Sequence, residues 1–213
     1  MATFLRPLSY RYQWLFDGIA RTAALTVGGE QPFRTLALQG LTLSQDMALL
    51  DLCCGSGQTT RFLTAYSPNV IGLDASPLSL QRAERNVPQA QFVQGWAEAM
   101  PLEDSRFDVV HCSAAIHEMT DDQRAAIFKE VLRVLKPGGI FTLIDFHRPQ
   151  NPGFWPGLAL FLWLFETQTA WQMLRANMPQ ELSQLGFAGV AQRLYAGGSL
   201  QVIQAQKPPL TTV

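Results

Sequence analysis

Five apolar runs recur along the chain, alternating with stretches of helical spacing. They are "MALLDLC" at 47–53, "NVIGLD" at 69–74, "AQFVQG" at 90–95, "RFDVVHCS" at 106–113 and "IFTLIDF" at 140–146. The first is continuously apolar but for one aspartate, as expected of a strand covered on both faces. Between them lie helical segments: "QTTRFLTAY", then "PLSLQRAER", where Ser76 caps and Pro77 takes the first helical position. Thr120 and Gln123 form a capping box. The helix they start puts Ile127, Phe128, Val131, Leu132 and Leu135 on one face, and Pro137-Gly138-Gly139 stops it. Residues about 8 to 41 read as helical, with breaks near "VGGEQP". Near the end, "PQELSQLGF" reads as a short helix, and "GVAQRLYAGGSLQVIQAQ" as a hairpin turning at Gly197-Gly198. Strands alternating with helices, closed by a hairpin, predict an α/β fold: a doubly wound, mostly parallel sheet.

Composition narrows the partners. The 213 residues suit one domain. The formal net charge is -1, with the sixteen basic residues scattered, so nucleic acid is not an expected partner. "MATFLRPLSYRYQ" lacks the apolar core of a secretion signal, and the three cysteines, Cys53, Cys54 and Cys112, read as reduced thiols of a cytoplasmic protein. The charge-free run Phe154–Phe165 would reach only about 18 Å as a helix, short of a ~30 Å hydrocarbon core.

In a doubly wound sheet the ligand binds beyond the carboxyl ends of the strands. The loop after the first strand, Gly55-Ser56-Gly57, permits close backbone approach, and the following helix offers free N–H groups. Asp74 ends the second strand, where a carboxylate can accept both hydroxyls of a ribose. A dinucleotide loop would carry a third glycine at position 60, which is threonine here. A nicotinamide-dependent oxidoreductase stays open on the loop alone, as does a tight turn beside a solvated aspartate.

Further motifs decide between these. "LDLCCGSG", "GWAEAMPLEDSRFDVV" (95–110) and "EVLRVLKPGG" (130–139), in this order and spacing, resemble the class I S-adenosylmethionine-dependent methyltransferases. The branch most resembled includes the ubiquinone and menaquinone biosynthesis C-methyltransferases. The resemblance covers about residues 49 to 149 at its core. It implies a seven-stranded Rossmann-like sheet with a C-terminal antiparallel hairpin and an N-terminal helical extension. One domain spans 1–213: a helical cap over 1–45, a cofactor-binding core over 46–149, an apolar substrate-covering insert over 150–177, and a terminal helix and hairpin over 178–213. The implied cofactor is S-adenosylmethionine. Asp51 and the backbone from Cys53 through Gly55 to Gly57 would hold its methionine end, Asp74 its ribose, and Ala75, Trp96 and Ala97 its adenine. Cys112 and Ser113 would lie near the methionine portion. Two departures stand out: Trp96 replaces the family's usual aspartate, and Phe16-Asp17 stands where Tyr-Asp is common, with Tyr10 and Tyr12 upstream.

Methylating a phenol-type acceptor requires removal of a proton, and a group titrating near neutrality suits the task. Of the three histidines, His111 lies within a strand, whereas His117 and His147 follow strand ends and are expected to face the cleft. No His/Cys/Asp cluster has metal-ligand spacing, and Cys53 and Cys54 would point to opposite faces of a strand, so no metal is expected. The insert reads either as a buried helix or as a lid for a lipophilic acceptor such as a prenylated quinol, with peripheral membrane contact left open. Another O or N acceptor, or a non-catalytic cofactor-binding module, shares the same motifs.

Overall fold

The computed structural model describes residues 28–210. Most of the expected N-terminal cap, with Tyr10, Tyr12, Phe16 and Asp17, lies outside them. Seven strands form one sheet in the order β3-β2-β1-β4-β5-β7-β6. They are β1 (Leu49–Leu52), β2 (Val70–Asp74), β3 (Gln91–Gln94), β4 (Phe107–Ser113), β5 (Leu135–Phe146), β6 (Ala188–Tyr195) and β7 (Leu200–Gln206). The first five run parallel; β7 pairs antiparallel with both β5 and β6. All four residues of β1 are buried, as its unbroken apolar run requires of a central strand. Strand order reverses between β1 and β4, which opens a crevice at their carboxyl ends.

The helices cover this sheet. A short α1 (Glu30–Thr35) precedes β1, and α2 (Thr60–Leu63) is a tighter piece of helix than the nine residues expected. In α3 (Pro77–Asn86) the Ser76 hydroxyl accepts the Ser79 N–H at 3.2 Å. Both halves of the Thr120–Gln123 capping box are formed at the start of α4 (Asp121–Val134), whose Ile127, Phe128, Val131 and Val134 are buried.

The end of α4 departs from expectation. The helix stops at Val134, and Pro137-Gly138-Gly139 belongs to β5. Phe107 pairs with Leu135 while Val109 pairs with Ile140, so the extra residues form a bulge. The bulge backbone is not left unpaired: the Gly138 N–H donates to the Lys207 carbonyl and the Lys207 N–H to the Gly139 carbonyl, each at 2.9 Å.

Between β5 and β6 lie α5 (Trp155–Phe165), α6 (Gln168–Met173) and α7 (Met178–Gln184). Leu158, Leu162, Ala170 and Leu174 pack together there as a small separate core. The outer face of α5 leaves Leu160 and Trp163 57% and 65% exposed. Among the described residues no helix is long and apolar enough to cross a membrane.

Candidate functional site

A cavity of about 900 Å³ opens over the carboxyl ends of β1, β2, β4 and β5, with α1 and α5 as its other walls. Its size lies at the upper end of the ~300–1,000 Å³ usual for small-molecule sites, room for two ligands side by side.

One end is built by the loop after β1. Cys53, Gly55 and Gly57 all take left-handed backbone angles (φ 57, 55 and 81). A Cβ at Gly55 would meet no protein atom within 4 Å, so the bare backbone there faces the cavity. A Cβ at Gly57 would instead press on Val87 at 3.1 Å. Asp74 braces this loop: its carboxylate accepts the Gly55 and Ser76 N–H groups, both at 2.9 Å. Below them Asp51 is buried and accepts the Thr60 hydroxyl at 2.6 Å. Burial pushes its pKa up to about 7, against the pull of that hydroxyl and of the Arg34 charge. Arg34, from α1, reaches over from the far wall and donates to Gln58 at 2.6 Å and Ser113 at 3.4 Å.

The other end is apolar with one polar corner. His117 sits in a 3-10 turn, Ile116–Glu118, just past β4. Asp145, buried on β5, takes its backbone N–H at 3.1 Å and its ring Nδ1 at 2.7 Å. The opposite ring nitrogen, Nε2, lies 3.4 Å from Glu166, the residue that ends α5. Burial alone would lower the His117 pKa, but the two carboxylates outweigh it and raise it well above the ordinary range. From His117 a ladder of rings runs up the wall: Phe146 at 4.7 Å, Phe161 at 5.4 Å from Phe146, and Phe165 at 5.5 Å from Phe161.

Asp51, Cys53, Gly55, Asp74, Ala75 and Ser113 therefore share one cavity with His117. Trp96 and Ala97 line an adjoining recess of about 80 Å³ that also touches Cys53 and Ala75. Gly57 shapes the loop from behind. His147 does not reach the cavity lining; its Nδ1 donates to the Gly198 carbonyl at 2.9 Å, so the ring fastens the hairpin turn. Cys112 is fully buried and also stands off the cavity, its thiol hydrogen-bonded to Cys53 and held protonated by that contact and by burial. His111 bonds the Thr142 hydroxyl at 2.7 Å, and burial drives its pKa down to about 3, which keeps it neutral. Phe161 lines the cavity from the insert read as a lid, whereas Arg34 and Glu166 were not singled out. Glu166 closes a run whose apolar character alone was legible, and Arg34 contacts a residue 79 positions away.

The donor set at the loop end suits a ligand with a zwitterionic amino acid, a ribose and a base. Asp51 is a buried carboxylate on the cavity wall, Arg34 brings a guanidinium to the opposite wall, and Asp74 has lone pairs left beyond the two N–H groups it accepts. That is the chemistry of S-adenosylmethionine.

The comparisons agree. Residues 49–139 match the model of a methyltransferase domain. The chain is 53% identical over 206 residues to an uncharacterized methyltransferase of Synechocystis sp., covering 97% of both chains. It is 28% identical over 228 residues to a 2-phytyl-1,4-naphtoquinone methyltransferase of Thermosynechococcus vestitus, covering 96% of this chain and all of that one. Among solved structures, a methyltransferase of Thermotoga maritima superimposes with a TM-score of 0.66 over 95% of this chain and 99% of that one, at 18% identity.

Proposed function

The chain belongs to the class I S-adenosylmethionine-dependent methyltransferases, and we propose that its acceptor is a lipophilic small molecule bearing a ring hydroxyl, of the prenylated quinol kind. The observation that carries this reading is the far end of the cavity: a ladder of Phe146, Phe161 and Phe165 leading from a single polar corner at His117. An aromatic ring with an apolar tail needs that pairing of surfaces. The naphthoquinone acceptor in the name of a 28% identical relative supports it. So does the outward face of α5, where exposed Leu160 and Trp163 would ease delivery from an apolar phase at a membrane surface.

The cofactor brings the reactive group, a methyl on a positively charged sulfur. The protein's residues bind and aim. We assign the amino-acid end to Asp51, Arg34 and the backbone of Cys53 and Gly55, and the ribose to Asp74. Ala75, Trp96 and Ala97 frame the adenine recess. The aromatic wall excludes water and presses the acceptor ring toward the loop end. His117, fixed by Asp145, orients the acceptor hydroxyl.

Incubation with isotopically labelled cofactor and a cell lipid extract tests the reading. Label in a quinol fraction is the expected result. Label confined to water-soluble metabolites would overturn it.

A further inference from the structure

His117, Glu118 and Glu166 bring one nitrogen and two carboxylate oxygens within 4.8 Å of one another on the wall of the cavity. We propose that these three residues bind a divalent cation of the zinc or manganese type, with an open position that takes an oxygen of the acceptor.

The ring of His117 makes the first argument. Asp145 holds Nδ1 at 2.7 Å, which turns Nε2 toward Glu166, where an arriving ion would displace the Nε2 proton to solvent. A carboxylate behind the distal nitrogen is the arrangement that fixes the tautomer and orientation of metal-binding histidines. Asp145 is itself locked, since it also accepts the N–H groups of His117 and Phe146.

The separation makes the second. Nε2 and the Glu166 carboxylate form an ion pair longer than the ~2.7–2.9 Å of a close charge-assisted hydrogen bond. A tetrahedral ion with ~2.1 Å bonds sets its ligands about 3.4 Å apart. The observed distance is 3.4 Å. Half-buried Glu118 completes a three-residue set whose ligand atoms lie within 4.8 Å of one another. One imidazole with two carboxylates suits zinc or manganese, and three protein ligands leave coordination free toward the cavity.

The ion site stands on these residues alone. Only the identity of the oxygen that fills the open position rests on the methyltransferase reading above. A hydroxyl bound there would lose its proton to solvent more readily than a free phenol.

The test uses the full chain, stripped with a chelator. Manganese is titrated by electron paramagnetic resonance, and zinc by competition with a chromophoric chelator. One ion per chain is expected, with affinity falling about tenfold or more in Glu166→Gln and in Glu118→Gln. Cofactor affinity, measured by calorimetry on the same samples, reports folding and should be unchanged in both variants. Should Glu166→Gln fail to bind cofactor, Glu118→Gln decides. Absence of stoichiometric binding of either metal at ~1 mM would overturn the proposal, as would wild-type ion affinity in the folded variants. A chain that binds the ion but labels no lipid fails the acceptor reading and leaves the ion site standing.

Discussion

The carboxylate of Asp74 accepts the backbone N–H of Gly55 across 19 residues of sequence, at 2.9 Å. The end of β2 thereby holds the loop after β1 in shape, while the same side chain faces the cavity. The carboxylate that braces the loop is thus also the one proposed to hold the ribose.

Asp74→Ala removes two hydrogen bonds to a side-chain carboxylate, each of a kind worth about 1.5–3 kcal/mol. Calorimetry should find cofactor binding weakened by at least tenfold. The thermal midpoint should fall as well, because the loop loses its brace even without ligand.

Asp51 gives the site a pH dependence. Its pKa is raised from 3.8 to about 7 in the folded chain. Between those values the folded state holds a proton that the unfolded state has released, so this group's contribution to stability is lost as pH rises through that window. Under the proposed assignment of Asp51 to the amino-acid end, cofactor binding runs the other way: the ammonium of the ligand needs the carboxylate ionised. Affinity measured between about pH 5.5 and 8.5 should therefore climb through pH 7 and release protons below it. Asp51→Asn should flatten both profiles.

The two loop glycines separate folding from binding. Gly57→Ala sets a methyl 3.1 Å from Val87 at a left-handed φ of 81, and should cost about 1–3 kcal/mol in denaturant unfolding. Gly55→Ala meets no protein atom, so its stability loss should be smaller. Its methyl stands where the ligand must approach, and cofactor affinity should drop more than stability does.

Phe161 tests the acceptor wall. Phe161→Ala removes the middle ring of the ladder, 5.4 and 5.5 Å from its neighbours. KM for a lipophilic acceptor should rise by tenfold or more, while the Kd for cofactor stays at its wild-type value. Equal loss of both would place the ring in the folding core instead.

The sheet was readable because buried parallel strands announce themselves as continuous apolar runs, and the loop end because Gly55, Gly57 and Asp74 lie within one strand-helix-strand unit. What escaped was made by long-range contact. Glu166 meets His117 only because α5 folds back over β5, and nothing in its local spacing marks it. His117 and His147 both follow strand ends and both read as facing the cleft. The difference arises from Asp145, which turns one ring toward the cavity, and Gly198, which holds the other away. The bulge at Pro137-Gly138-Gly139 looked like a helix stop because its true partner, Lys207, is some seventy positions on.

The position of β7 between β5 and β6 has a consequence for the order in which the molecule assembles. Ile140 finds its cross-strand partner at Gln206, with the whole roof over the cavity encoded in between. Until β7 arrives, β5 presents an unpaired edge and β6 has nothing to join. The pairing of β1 with β4 closes a similar separation, Leu49 to Val109, so both halves of the sheet wait on long-range closures that are slower than joining β1 to β2 or β2 to β3. An open β5 edge beside an apolar helix is a template for association between chains, and the pairing of β7 removes it.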